Sequence, residues 1–116
     1  MKLIALYRQD QCLLPRVWHA VSPWERTRGL IGRPALRPDE GMLIGDCRLV
    51  HTVGMRYPLD LAFLDRRGQV RKLVTGLRSM RVAGSFPACA TLELAAGTLA
   101  AIGLNEGDYV TWKEAA

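Results

Sequence analysis

The stretch LDLAFLDRRGQVRKLV, residues 59–74, decides the fold class. Leu59 to Leu64 is apolar at every position except Asp60, which is typical of a strand covered on both faces. Asp65 to Gly68 has the composition of a turn with glycine last, and Gln69 to Val74 returns as the partner strand. The stretch therefore predicts a β-hairpin.

Short strands are also predicted on both sides of this hairpin. They are Lys2 to Tyr7, Arg16 to Val21, Met42 to Ile44, Cys47 to Val53, Arg78 to Val82, Ala90 to Leu94 and Tyr109 to Trp112. Pro15 is expected to end any regular element before the second of them. Many short strands with frequent Gly and Pro turns predict a mainly β sandwich or barrel. We expect a single domain over residues 1–116, because the chain shows no repeat and no linker.

One short helix is predicted in the N-terminal half. Ser22 can cap it, Pro23 suits its first position, and Glu25 completes a capping box. The helix is expected to run from Pro23 to Ile31 and to end at Gly32 in the left-handed conformation. A single further helical turn is expected across residues 99–102.

The charge balance is basic, with a net charge of +5 and 13 arginines among the 16 basic residues. Arginine favours two-point contacts to carboxylates and phosphates. Arg66 to Arg81 contains six basic residues and no acidic one, but it lacks the interleaved aromatics of single-strand binders. We therefore expect a solvated basic face here and disfavour nucleic acid as a partner.

Three cysteines without CxxC spacing indicate reduced thiols, because an odd number cannot complete a disulfide framework within one chain. The apolar run after Lys2 is too short for a signal peptide or a membrane span. These features favour a cytoplasmic protein. No residue spacing indicates a metal site, and no cofactor is expected.

Polar residues within apolar surroundings are the candidates for chemistry. Asp60 is expected to be buried and hydrogen-bonded to a nearby Arg or His, either as a tie that holds a turn or as part of a site. His51 could be a general base, a metal ligand or a hydrogen-bonded structural residue. Glu93 alternates with Leu92 and Leu94, which indicates a solvent-facing position.

The order of several motifs resembles a known family. RGLIGR (28–33), GML (41–43), HTVGMRYPLDLAFLD (51–65), LELAAG (92–97) and Gly107-Asp108 occur in the order seen in domain of unknown function 192 (DUF192). The resemblance implies a jelly-roll type of β-sandwich or barrel with a short early helix, and it implies no reaction. Matching motif positions are Arg28, Arg33, Gly41, Met42, His51, Thr52, Gly54, Met55, Pro58, Asp60, Glu93, Gly97 and Asp108.

Three functions remain open from the sequence. The first is a binding module that presents Arg28, Arg33, His51, Thr52 and Asp60 to a small polar or anionic ligand. The second is a small enzyme that uses acid–base chemistry of His51 and Asp60. The third is a basic surface for a protein or a nucleic acid.

Overall fold

The computed structural model describes residues 1–115. Its elements follow in the order β1 (Lys2–Arg8), β2 (Gln11–Ala20), α1 (Pro23–Arg28), β3 (Glu40–Gly45), β4 (Leu49–His51), β5 (Leu59–Leu64), β6 (Val70–Leu77), β7 (Val82–Gly84), β8 (Ala90–Ala95), α2 (Thr98–Ile102) and β9 (Thr111–Glu114). The mainly β class is confirmed. None of the helices in this part of the chain has the length and apolar composition needed to cross a membrane.

Seven strands form one sheet in the order β6-β5-β8-β3-β2-β1-β9, and β4 pairs with β7 in a separate two-stranded sheet. The sheets do not close into a barrel. All pairings are antiparallel except that of β2 with β3. A parallel pair needs a long crossover connection. Here α1 and the irregular segment 29–39 provide it, and Leu30 and Leu36 of that segment pack in the core on one face of the sheet.

The central strands of the large sheet are buried on both faces. All six residues of β5 are buried. Its even-numbered apolar residues, Ala62 and Leu64, pack in one core cluster with Leu99 of α2. Its odd-numbered residues join a second cluster with Leu30 and Met55 from the loops. Each face therefore has its own apolar core, as the composition of residues 59–64 predicted.

The capping box of α1 is formed as predicted. The Glu25 amide donates to Ser22 Oγ at 3.2 Å, and the Ser22 amide donates to Glu25 Oε1 at 3.3 Å. The predicted end of the helix is wrong, because the helix stops at Arg28 rather than Ile31. Gly29 is the terminator, with a φ of 52° and its amide on Glu25 O at 2.9 Å.

Pro15 does not interrupt β2, contrary to the expectation. The β1–β2 register shifts between Ile4 and Leu6, so Pro15 lies in a β-bulge. It also precedes the parallel pairing with β3, which starts at Arg16. The missing amide of a proline is tolerated at such a position because no ladder bond is required there.

Three predicted strands are displaced or shortened in the structure. The one expected over residues 78–82 lies at Val82–Gly84, because the preceding backbone bonds to Thr52 instead. The last strand lies at Thr111–Glu114 rather than 109–112, and Tyr109 forms only an isolated bridge with Gln69. The strand expected over 47–53 is reduced to Leu49–His51.

Candidate functional site around Glu93

Glu93 lies in β8, at the middle of the large sheet. It is opposite Leu61 of β5 and Met42 of β3, which both belong to the second core cluster. Only 4% of its surface is exposed. The expectation of a solvent-facing position is therefore wrong. Alternation indicates a solvent-facing side only where one face of the sheet is open, and here segments 29–39 and 49–57 cover that face.

The Glu93 carboxyl group lacks a full set of partners. Its Oε1 atom is buried and has no hydrogen-bond partner. Burial raises the pKa of Glu93 from 4.5 to about 7, because the charged form loses its hydration. A carboxyl group with this pKa exchanges its proton near neutral pH.

Gly29 leaves space in front of this carboxyl group. A Cβ atom at Gly29 would lie 3.6 Å from Glu93 Oε1 and 3.7 Å from Ile44 Cδ1. A cavity of about 70 Å³ lies here. Its walls come from α1 and the residues after it, from β3 and β4, and from the β4–β5 loop; they include Arg26, Arg28, Gly29, Ile44, Cys47, His51, Met55 and Glu93.

A larger cavity of about 680 Å³ adjoins the small one. The two share Leu30, Ile31 and Met55 in their walls. Tyr57 lines the larger cavity, and its hydroxyl group is also buried without a partner. Burial, and secondarily the charge of Glu93, raise the pKa of Tyr57. We call the two cavities together the Glu93 cleft.

Three of the residues predicted for a site lie around this cleft. Arg28 and His51 line the small cavity, and Arg33 lines the large one. Arg28 Nε donates to Ile31 O at 3.2 Å, and Arg33 Nε donates to Gly29 O at 2.8 Å. These bonds hold the stems of both side chains, while their terminal Nη groups form no hydrogen bond within residues 1–115.

Thr52 does not line the Glu93 cleft, and its hydrogen bonds connect two segments of the backbone. It is fully buried, and its hydroxyl group donates to Arg78 O at 2.6 Å and accepts from the Arg81 amide at 2.9 Å. Its own amide donates to Arg81 O at 2.8 Å. Thr52 therefore fastens the segment between β6 and β7 to the start of the β4–β5 loop.

Asp60 is buried as predicted, with 1% of its surface exposed, but its predicted partner is wrong. Its Oδ1 accepts from the Gly76 amide at 2.9 Å, and its Oδ2 accepts from the amides of Gly97 and Leu99 at 3.0 Å each. No Arg or His within residues 1–115 bonds to it. Backbone amides at the start of α2 supply the positive partners instead.

Asp60 and His51 are not brought together. The Asp60 side chain lies on the same face of the sheet as Ala62 and Leu64. His51 lines the cavity of Glu93, and Glu93 lies on the opposite face of the sheet with its neighbour Leu61. The acid–base pair of His51 and Asp60 is therefore not formed. Within residues 1–115, no group of three His, Cys, Asp or Glu side chains is placed to hold a metal ion.

Glu93 was named from the sequence as a motif position but assigned to solvent, and Tyr57 was not identified. One signal for Glu93 was present, because it is the only charged residue between Cys89 and Leu104. A lone carboxylate in a long uncharged stretch fits a buried position better than a surface strand. Tyr57 carries no comparable signal, because the groups around it belong to a distant glutamate and a loop, and its neighbours in sequence do not indicate them.

Comparison with known proteins identifies the family. The DUF192 family model, described as "Uncharacterized ACR", matches residues 6–112. No curated protein matches the chain. A crystal structure from Sinorhizobium meliloti 1021, described as that of a "putative transcription regulator", is similar with a TM-score of 0.80 and 26% identity, over 96% of this chain and 92% of that one.

A second solved structure shows the same fold. It is a protein of unknown function from Novosphingobium aromaticivorans DSM 12444, with a TM-score of 0.80 and 23% identity, over 95% of this chain and 84% of that one. The family match covers nearly the whole chain and agrees with the motif order from RGLIGR to Gly107-Asp108. The chain belongs to the DUF192 family.

Proposed function

We propose that this domain is a binding module whose small ligand enters the Glu93 cleft. One observation carries the proposal: Glu93 Oε1 and the Tyr57 hydroxyl group are buried without partners beside adjoining cavities. An unsatisfied buried polar atom costs about 1–3 kcal/mol, so two in one place indicate groups that a ligand completes.

The cleft favours a ligand with two different ends. The small cavity of about 70 Å³ admits a hydroxyl or another group of that size, which can both donate to and accept from Glu93. Arg28 and Arg33 in the outer walls favour a carboxylate or phosphate at the other end. The proposed ligand is therefore a small hydroxylated anion, with His51 as a further contact.

The proposal is tested by nuclear magnetic resonance titration with named probes. Glycerate and glycerol 3-phosphate carry both features, glycerol lacks the anion, and acetate lacks the hydroxyl. We expect the first two to shift the amide signals of Gly29 and Met55 at lower concentration than the other two. Equal responses to all four probes, or none, would sink the proposal.

Two variants locate the response within the cleft. Glu93→Leu and Arg28→Gln should each weaken binding of glycerol 3-phosphate by about tenfold, since the first removes both carboxyl oxygens and the second removes a positive charge. Glu106→Gln and Arg37→Gln change exposed residues outside the cavity of Glu93 and should leave binding unchanged. Asp60 and Thr52, whose bonds are already complete, are proposed to support the fold rather than the ligand.

An enzyme is the second candidate, favoured by the pKa of about 7 for Glu93. A group that titrates near the working pH can act as a general acid or base. In this version Glu93 takes the acid–base role expected of His51. The test is the pH dependence of an enzymatic rate, which should show a single titration near pH 7. Glu93→Gln should abolish this rate.

The basic surface is a weaker candidate, because several of its side chains have internal partners. Arg71 pairs with Asp65 at 3.3 Å, and Lys72 Nζ donates to Gly84 O at 2.8 Å. Arg81 Nη1 donates to Met80 O at 3.3 Å. We also propose a cytoplasmic location, which is supported by three free cysteines, one of them exposed.

A further inference from the structure

A second cleft shares no lining residue with the Glu93 cleft, and the ion pair of Asp46 with Arg26, which lines the small cavity, connects the two. Its volume is about 650 Å³. Three loops form it: Asp46 and Arg48 before β4, the β5–β6 turn at 65–67, and residues 86–89 before β8. It contains Arg48, Arg66, Arg67 and Phe86, and we call it the arginine cleft.

The acidic residues of the arginine cleft are already engaged elsewhere. Asp46 Oδ2 pairs with Arg26 Nη1 at 3.0 Å. Asp65 Oδ1 accepts from the amides of Arg67 and Gln69, and its Oδ2 pairs with Arg71 Nη1 at 3.3 Å. The guanidinium groups of Arg48, Arg66 and Arg67 form no ion pair with any residue from 1 to 115. The cleft therefore offers three cations to an anion from outside.

The loops that carry these groups are held in place. The Gly68 amide donates to Asp65 O at 3.0 Å, which closes the turn with Arg66 and Arg67 at its tip. Gly68 has a φ of 81°, and a Cβ there would overlap the carbonyl oxygen of Val110, so this turn packs tightly on the chain. The Ala88 amide donates to Ser85 O at 3.1 Å and closes the turn that carries Phe86. Preformed loops reduce the entropy lost on binding.

Phe86 adds a flat apolar surface to the cations. It is 88% exposed, the most exposed large apolar side chain in the described chain. The Arg48 guanidinium lies 5.7 Å from the centre of its ring. A single exposed phenylalanine needs no explanation. An exposed ring beside three unpaired arginines, however, is the combination that binds a stacked base together with its phosphate.

We propose that the arginine cleft binds one nucleotide unit, with its base on Phe86 and its phosphate on Arg66 and Arg67. The volume of the cleft suits a ligand of this size. A free mononucleotide and the 5′ end of a single strand share this chemistry. This proposal does not rest on ligand binding in the Glu93 cleft, so either proposal can fail without the other.

The test compares probes that differ in one feature, by calorimetry at low salt. AMP carries base and phosphate, ribose 5-phosphate lacks the base, and adenosine lacks the phosphate. We expect AMP to bind at least about fivefold more tightly than either. A 5′-phosphorylated hexamer of deoxyadenylate distinguishes the two sources: affinity that rises with length assigns the strand, and affinity equal to that of AMP assigns the free nucleotide.

Matched variants distinguish a specific nucleotide site from nonspecific attraction by positive charge. Phe86→Ala should lower the affinity for AMP to that for ribose 5-phosphate, whereas Trp24→Ala, at another aromatic residue that is 73% exposed, should have no effect. Arg66→Gln with Arg67→Gln should weaken AMP by about tenfold or more, and Arg78→Gln with Arg81→Gln should not. The proposal is overturned if AMP binds no better than ribose 5-phosphate, or if both arginine pairs act alike.

Discussion

Asp60 and Glu93 are two buried carboxyl groups on neighbouring strands, and they face opposite sides of the same sheet. Asp60 accepts three hydrogen bonds from backbone amides. Glu93 has an oxygen with no partner and a pKa raised to about 7 by burial. The two carboxyl groups are therefore alike in burial and differ in the completeness of their hydrogen bonds, which is why we propose a structural role for one and a ligand contact for the other.

The largest expected effect is a pH dependence that belongs to Glu93. Its pKa is about 7 in the folded state and near 4.5 unfolded, so the folded chain keeps a proton that the unfolded chain releases. Stability should fall as pH rises from about 4.5 to 7, by about 3 kcal/mol, and then level off. Glu93→Gln should remove this component, as measured by urea unfolding at several pH values.

A matched variant controls for the remaining titrating groups. Glu106→Gln changes an exposed glutamate and should keep the wild-type pH profile. If wild type and Glu93→Gln show parallel profiles between pH 4.5 and 7, the contrast between the two carboxyl groups disappears.

The next effect concerns Asp60. Asp60→Asn should lower the free energy of unfolding by about 2 kcal/mol at pH 7, because three amides lose a charged acceptor. Chemical denaturation measures it, with Asp39→Asn as an exposed control. The variant should still bind the probes of the Glu93 cleft. Unchanged stability together with lost binding would reverse the roles assigned to the two residues.

A smaller effect is expected at the helix that borders Glu93. Ser22→Ala removes the side-chain cap and should cost about 1 kcal/mol. Ser79→Ala, at an exposed loop position, should cost much less. An unaltered unfolding midpoint for Ser22→Ala would show that α1 and Gly29 are held over Glu93 by other contacts.

The smallest effect on stability is expected at His51, which is exposed and forms no side-chain hydrogen bond within residues 1–115. His51→Ala should change the free energy of unfolding by less than about 0.5 kcal/mol. Binding of glycerol 3-phosphate should nevertheless weaken, since His51 lines the small cavity. Unchanged binding in a folded variant removes His51 from the site.

Local signals in the sequence were reliable for local structure. The capping box at Ser22 and the hairpin around residues 65–68 each depend on residues close in sequence, and both are present. The end of α1 was misplaced by three residues, because Gly29 and Gly32 both suit a terminator and sequence does not rank them.

The candidate site was only partly predictable, because the burial of its residues depends on which segments cover each face of the sheet. Arg28, Arg33 and His51 were identified and do lie around one cleft. Glu93 was assigned to solvent, since alternation within β8 does not reveal that segments 29–39 and 49–57 cover it. The partners of Asp60 are amides 16, 37 and 39 residues away, and backbone groups carry no sequence signature.

Gly29 also has a consequence for how this cleft can be re-engineered. Its φ of 52° disfavours any side chain, so Gly29 is a poor position for mutation. The end of α1 therefore fixes the distance between the backbone and Glu93. Met55, on the wall shared by the two cavities, is unbranched and flexible. A library that varies Met55 would therefore tune the size of molecule admitted, at a cost in packing within the second core cluster.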